Sequence, residues 1–336
     1  MRSLLAVFVP FFSFVAGTVC AQSQESTPSA AARIAHFAGD RAAAISYTFD
    51  DNLRDQYTLA VPMLNEVGFK GTFFVIAGKT VDTPEEGEKK LGDPNARDLW
   101  GSISWPELAE MDKQGHEISS HTWSHRGMAK LPPEEVDAEL SKACDAIKAH
   151  IGKLALTLAF PFNQSTPEVQ AAALKYHVAY RSHQASTGDK TTEASLNAWA
   201  DKLVKEHKWD IMMTHAIAKG YAAMSDPEIF HAHLKYVKSR EHDIWVDTFA
   251  NVARYEKERD DAKLTVTGKP GNIVCVLTST LDPKLYDVPL TIVVDAAGAG
   301  SAHAERAGHE LPARLVPGGI QVDAAPDKDP ITIVWK

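Results

Sequence analysis

Residues 43–52 read Ala43-Ala44-Ile45-Ser46-Tyr47-Thr48-Phe49-Asp50-Asp51-Asn52. The run Ala43–Phe49 is short, apolar and rich in β-favouring residues, so it reads as a strand, and it ends on two adjacent carboxylates. Outward from it the pattern alternates. Tyr57–Val67 repeats apolar residues at helical spacing (Leu59, Val61, Met63, Leu64, Val67) and stops at Gly68. Gly71–Ile76 is a second strand, and Lys79–Trp100 is a charged insertion expected as a surface loop. Trp105–Gln114 reads as a helix, His116–Ser120 as a strand, Pro133–His150 as a helix, Leu154–Phe160 as a strand and Pro167–Tyr176 as a helix. Val178–Ser182, Asp210–Thr214 and Ile244–Thr248 supply the later strands. Strands separated by helices of 10–15 residues imply parallel βαβ units. About seven fit between residues 42 and 258, which predicts an α/β fold, a distorted (β/α) barrel rather than an open doubly wound sheet. A dinucleotide site would need a Gly-rich turn after the first strand, where Asp50-Asp51-Asn52 stands instead.

Near Asp260 the pattern changes to short alternating runs broken by Gly, Pro and Asp: Leu264–Val266, Ile273–Thr278, Leu290–Val294, Ile320–Val322 and Ile331–Trp335. That predicts a small C-terminal all-β, sandwich-like domain. The expected division is a signal peptide over 1–21, a Ser-, Gln-, Ala- and Pro-rich linker over 22–41, the barrel over 42–259 and the β domain over 260–336. The signal reading rests on Arg2, the apolar stretch Leu4–Val19 and the small residues around Val19-Cys20-Ala21. It implies a secreted or periplasmic protein with no stable membrane insertion after cleavage; a membrane anchor is the alternative, on a stretch short for a bilayer core.

Of 336 residues, 44% are hydrophobic and 24% charged, an ordinary globular balance. The formal net charge of -9, without a long basic run, argues against a nucleic-acid partner. Oligomeric state is not readable. Besides Cys20 the cysteines are Cys144 and Cys275. Both sit in apolar patterns, so two buried thiols are expected, with a bridge as the alternative in an oxidising compartment. No Cys pair has metal-ligand spacing, so a metal site would use His and carboxylate.

Active groups of (β/α) barrels sit where strands end and βα loops begin. Asp50 and Asp51, then His121 and His125, then Phe160-Pro161-Phe162, then Arg181 and His183, and finally His215 all follow predicted strands. His121 and His125 stand at i and i+4, which would put both imidazoles on one side of a helical turn, within reach of one ion. Two surface or capping histidines are the alternative for such a pair alone. Asp51 can supply the anionic third ligand, leaving coordination positions open for water and substrate. Adjacent side chains diverge, so while one aspartate binds metal the other can face the activated water as general base. His215, after Ile211-Met212-Met213-Thr214, is a candidate general acid or else a satisfied core residue.

These motifs, Thr48-Phe49-Asp50-Asp51, Gly71-Thr72-Phe73-Phe74 and Gly115-His116-Glu117-Ile118-Ser119-Ser120-His121-Thr122-Trp123-Ser124-His125, resemble the polysaccharide deacetylase family, the NodB-homology group or carbohydrate esterase family four. Phe160-Pro161-Phe162, Met213-Thr214-His215 and Trp245–Tyr255 resemble its later motifs, so the likeness runs over residues 42–255. The resemblance implies a divalent metal, zinc-like, on Asp51, His121 and His125, with Asp50 as base, His215 as acid and the Phe162 N–H on the oxyanion. It implies removal of acetyl groups from an acetylated polysaccharide or oligosaccharide, either an N-acetylglucosamine polymer or O-acetylated xylan. Two other readings compete: a secreted carbohydrate-binding protein with a dead barrel, and a metal-independent hydrolase of small cyclic amides.

The chain departs from the family twice. Leu158 and Ala159 stand where an Arg commonly steadies the base, with Asn163 in place of a Gly, and no Asp-plus-Trp element precedes His215. Arg181 is therefore expected to pair with Asp50, and Asp247 to orient His215. Trp100, Trp123 and Tyr221 are candidate sugar-stacking residues.

Overall fold

The computed structural model describes residues 31–89 and 101–336. The expected signal peptide, the start of the expected linker, and Trp100 lie outside the described residues.

Strand β1 (Ala32–Ile34) is followed by the barrel strands β2 (Ala43–Asp50), β3 (Thr72–Val75), β4 (Glu117–Ser120), β5 (Thr157–Ala159), β6 (Ala179–Arg181), β7 (Ala185–Ser186), β8 (Trp209–Thr214) and β9 (Ile244–Val246). Their order is β6-β5-β4-β3-β2-β8-β7, with β9 also on β2, and every pairing is parallel. Helices α1 (Val61–Glu66), α2 (Pro84–Lys89), α3 (Trp105–Lys113), α4 (Pro133–Ile151), α5 (Pro167–Ala173), α6 (Glu193–Glu206), α7 (Pro227–Ser239) and α8 (Phe249–Asp261) connect them. This is the distorted (β/α) barrel that the alternation predicts, open between β6 and β7. All eight residues of β2 are buried, because a strand inside a parallel sheet is covered on both faces. Aromatic side chains fill the layer behind it, with the Phe49 and Phe73 rings stacked at 4.7 Å.

The chain differs locally from its sequence pattern in several places. Within the expected loop Lys79–Trp100, Pro84–Lys89 form the short helix α2. The helical run after β2 starts at Arg54 and passes through a π-turn over Gln56–Ala60 before α1. The two-residue β7 carried no readable pattern. The expected linker is not one from residue 32 onward: β1 pairs antiparallel with β12 (Leu290–Asp295), Ala32 opposite Val294, and Phe37 is fully buried. The segment is polar on average, but Ile34 and Phe37 suffice to occupy an open sheet edge and its core.

The C-terminal strands β10 (Lys263–Lys269), β11 (Asn272–Thr278), β12, β13 (Ala302–Arg306), β14 (His309–Leu311), β15 (Ala313–Val316), β16 (Gly319–Ala324) and β17 (Ile331–Trp335) form two antiparallel sheets, ordered β1-β12-β16-β15 and β10-β11-β17-β13-β14. Their shared core holds Ile273, Leu290, Ile292, Val322 and Ile333 and continues into the barrel floor through Ala44, Trp245 and Tyr255. Cys275 is buried in that core and Cys144 is half-buried on α4; both thiols are free. Among the described residues no helix is long and apolar enough to cross a membrane.

Candidate active site

The strand ends bring Asp50, Asp51, His121, His125, Phe162, Arg181 and His215 to the wall of one cleft of about 420 Å³, with Asn163, Gln184, Met213 and Tyr221. Tight turns after the strands aim these side chains. Asp51 (φ 76) and Asn52 (φ 58), Thr122 (φ 67) and His125 (φ 62), and Phe162 (φ 58) and Asn163 (φ 54) all take the left-handed region. Non-glycine residues are held there only when surrounding contacts over-determine them, and such positions concentrate at functional sites. One of these contacts is Asn52, whose Oδ1 accepts from the Ile76 N–H (2.8 Å) while its Nδ2 donates to Thr80 Oγ1 (2.7 Å).

The expected helical turn over His121–His125 is absent. The segment is an irregular loop, because α4 captures its main chain. Trp123 N–H donates to the Glu139 carbonyl (3.1 Å), and the Glu139 carboxylate accepts from Ser124 N–H (2.8 Å) and Ser124 Oγ (2.5 Å). The loop also lies so close to Gly78 that a Cβ there would stand 2.6 Å from the Trp123 carbonyl. The imidazoles converge nonetheless. His121 Nε2 is 3.5 Å and His125 Nε2 3.3 Å from Asp51 Oδ1, and one ligand atom from each of the three residues lies within 4.8 Å of the others.

The donor chemistry fits a divalent cation. His121 Nδ1 is 2.7 Å from the Ala159 carbonyl. A carbonyl only accepts, so Nδ1 carries the proton and Nε2 presents a lone pair to the cleft. Burial lowers the His121 and His125 pKa values, the latter to about 4, favouring the neutral imidazoles that ligate. Burial, with the neighbouring Asp50 charge added, raises that of Asp51. Its buried Oδ1 has no hydrogen-bond partner. A buried carboxylate oxygen without a donor, facing two neutral imidazoles, is a site short of positive charge.

Asp50 differs from its neighbour. Burial pushes its pKa up, but the Arg181 guanidinium, together with the nearby His121 and His215, outweighs burial and holds the carboxyl below the usual range. Arg181 Nη1 and Nη2 donate to the two Asp50 oxygens at 2.9 and 2.5 Å, and Nη1 also to Thr48 Oγ1 at 2.9 Å. Since β6 lies four strands from β2, the side chain crosses the barrel interior, over the Phe74 ring.

His215 Nε2 lies 3.8 Å from Asp51 Oδ2 in the same cleft. Asp247 does not orient it. The β2–β8 register sets Thr214 opposite Phe49, whereas the β2–β9 register sets Val246 opposite Ile45. Asp247 is therefore about four residues, or ~13 Å, lower along the barrel. Its Oδ1 accepts from Thr248 N–H and Asn251 Nδ2, both at 2.7 Å. Trp123 packs against the barrel core, while Tyr221, 61% exposed, stands edge-on to the His215 ring at 4.9 Å. Phe162, 62% exposed, does the same to His125 at 4.7 Å. Residues that sequence reading missed are Glu139, Asn52, Asp55 and Gln56. Glu139, an acid on the apolar face of a periodic helix, was the one with a local signal.

The family model for polysaccharide deacetylase matches residues 39–180. A gellan lyase of a Bacillus species is 26% identical over 350 residues, spanning 90% of this chain and 13% of that protein. Chitin deacetylase 1 of Cryptococcus neoformans var. grubii is 27% identical over 156 residues, 45% of this chain and 28% of that protein. The chain spans between 13% and 40% of the length of the curated relatives it matches. Among solved structures, a family 4 acetyl xylan esterase from Clostridium thermocellum in complex with a cobalt ion is similar at 19% identity and a TM-score of 0.45, over 62% of this chain and 89% of that one.

Proposed function

We propose, on the premise that the chain belongs through residues 39–180 to the polysaccharide deacetylase family, that it is a metal-dependent hydrolase removing acetyl groups from a glycan. The observation that carries this reading is the convergence of Asp51, His121 and His125 at ligand spacing beside an Arg-held Asp50. Asp51, His121 and His125 would hold the divalent ion, with zinc the expected one. Bound there, the ion would lower the pKa of water and polarise the acetyl carbonyl.

The remaining roles fall to the chain. Asp50, kept ionised by Arg181, takes the proton from the attacking water. The Phe162 main-chain N–H donates to the oxygen that becomes negative as the carbonyl turns tetrahedral. His215, in the same cleft, gives a proton to the departing amine or alkoxide. The exposed rings of Tyr221 and Phe162 flank the cleft and offer apolar faces to a pyranose. The substrate is an acetylated polysaccharide or oligosaccharide, N-acetylglucosamine-based or xylan-based. The apolar stretch near Met1 supports export, to the periplasm or outside the cell.

Acetate release from N-acetylglucosamine oligomers and acetylated xylan, before and after chelation, tests the reading. Release that stops with chelator and returns with Zn²⁺ is expected. Purified protein that binds no divalent metal, or turnover untouched by chelator, would sink it.

A further inference from the structure

His215 has a buried Nδ1 with no hydrogen-bond partner, and the carboxylate expected behind it lies far down the barrel. What holds this histidine is its main chain. Gln56 is 1% exposed and opens the π-turn that follows the base. Its Nε2 donates to the Asp50 carbonyl and to the His215 carbonyl, both at 2.6 Å. A primary amide has two hydrogens, so one group serves both acceptors. The preceding residue continues the clamp. Asp55 Oδ2 accepts from the N–H groups of Ile217 (2.9 Å), Ala218 (2.7 Å) and Lys219 (3.0 Å). Three successive N–H groups on one carboxylate oxygen fix the turn leaving β8. Asp55 and Gln56 stand where the helical run passes into a π-turn, a form rare and enriched at functional sites.

We propose that Gln56 and Asp55 are positioning residues that tie the backbone of the base, Asp50, to that of the acid, His215, and so set the gap across which protons move. They take over the orienting task that a carboxylate on the imidazole would perform. This rests on the roles given above to Asp50 and His215.

The test uses leaving groups. An amine or sugar alkoxide needs a proton to depart; 4-nitrophenolate does not. The full chain loaded with Zn²⁺ is assayed on its best glycan acetate and on 4-nitrophenyl acetate. Gln56→Met should lower kcat on the glycan acetate roughly 10²-fold, the scale of general acid catalysis, with KM little moved. The same variant should keep its rate on 4-nitrophenyl acetate, which also reports that it is folded. Asp55→Ala should behave alike and lose hydrogen-exchange protection at residues 217–219, and Asp55→Asn, which keeps an acceptor oxygen, should recover most of the rate. Equal losses on both acetates would mean a general brace and overturn the inference, as would an undiminished glycan rate in both Gln56→Met and Asp55→Ala. Wild-type protein that releases acetate from neither substrate, or that ignores chelator, would overturn the underlying reading instead.

Discussion

Arg181, closing β6, and Asp50, closing β2, form a two-pronged buried ion pair across the barrel, at 2.9 and 2.5 Å. The planar guanidinium matches both carboxylate oxygens, so it orients Asp50 as well as charging it. Arg181→Met removes the cation but leaves the burial that pushes Asp50 upward. The acid limb of the kcat/KM profile should therefore move to higher pH, and turnover at neutral pH should fall by about 10²-fold. Arg181→Lys, a point charge, should restore the position of the limb better than the rate. A profile unmoved in Arg181→Met would contradict the pairing role.

The cation site should respond to its supporting loop as well as to its ligands. His125→Ala and Asp51→Asn are expected to abolish Zn²⁺ uptake, measured by titration calorimetry. Gly78→Ala touches no ligand, but its Cβ would stand 2.6 Å from the Trp123 carbonyl between the two histidines. A weakening of Zn²⁺ affinity by about 10-fold or more is expected, the usual cost of disturbing the groups behind a ligand. Unchanged affinity would mean that the loop yields without moving His121 or His125.

Asp247→Ala should cost stability rather than turnover. Its carboxylate binds Thr248 N–H and Asn251 Nδ2 at the start of α8, a capping arrangement whose loss costs about 1 kcal/mol. A lower Tm with kcat on the glycan acetate nearly unchanged is expected. A large kcat loss would restore Asp247 to the site.

Glu258 should make stability depend on pH. Burial raises its carboxyl pKa to about 7, against the Val288 N–H and Arg254, which favour the charged form. The fold thus prefers the protonated acid. The stabilisation is complete below the unfolded value near 4.5 and is lost as pH rises through about 7. Glu258→Gln cannot ionise, so the drop in urea midpoint between pH 5 and pH 8 should be smaller than in the wild type. An equal drop in both proteins would show that other groups cause it.

Much of this molecule was readable along the chain. Alternating apolar strands and periodic helices declare parallel βαβ units, and the position of Asp50, Asp51, His121, His125 and His215 just after strands puts them on one barrel face, because that follows from chain direction alone. The rest depended on register and on contacts between remote segments. The loop of His121–His125 is shaped by Glu139 and Gly78, not by helical spacing. Arg181 meets Asp50, 131 residues away, only because the sheet curls far enough for one side chain to span its interior. Asp247 misses His215 because β9 pairs low on β2 while β8 pairs high. Periodicity within one segment carries the direction in which side chains point but not the offset between neighbouring strands. Hence the acid's fastening to Gln56 and Asp55 was decided by the tertiary structure alone.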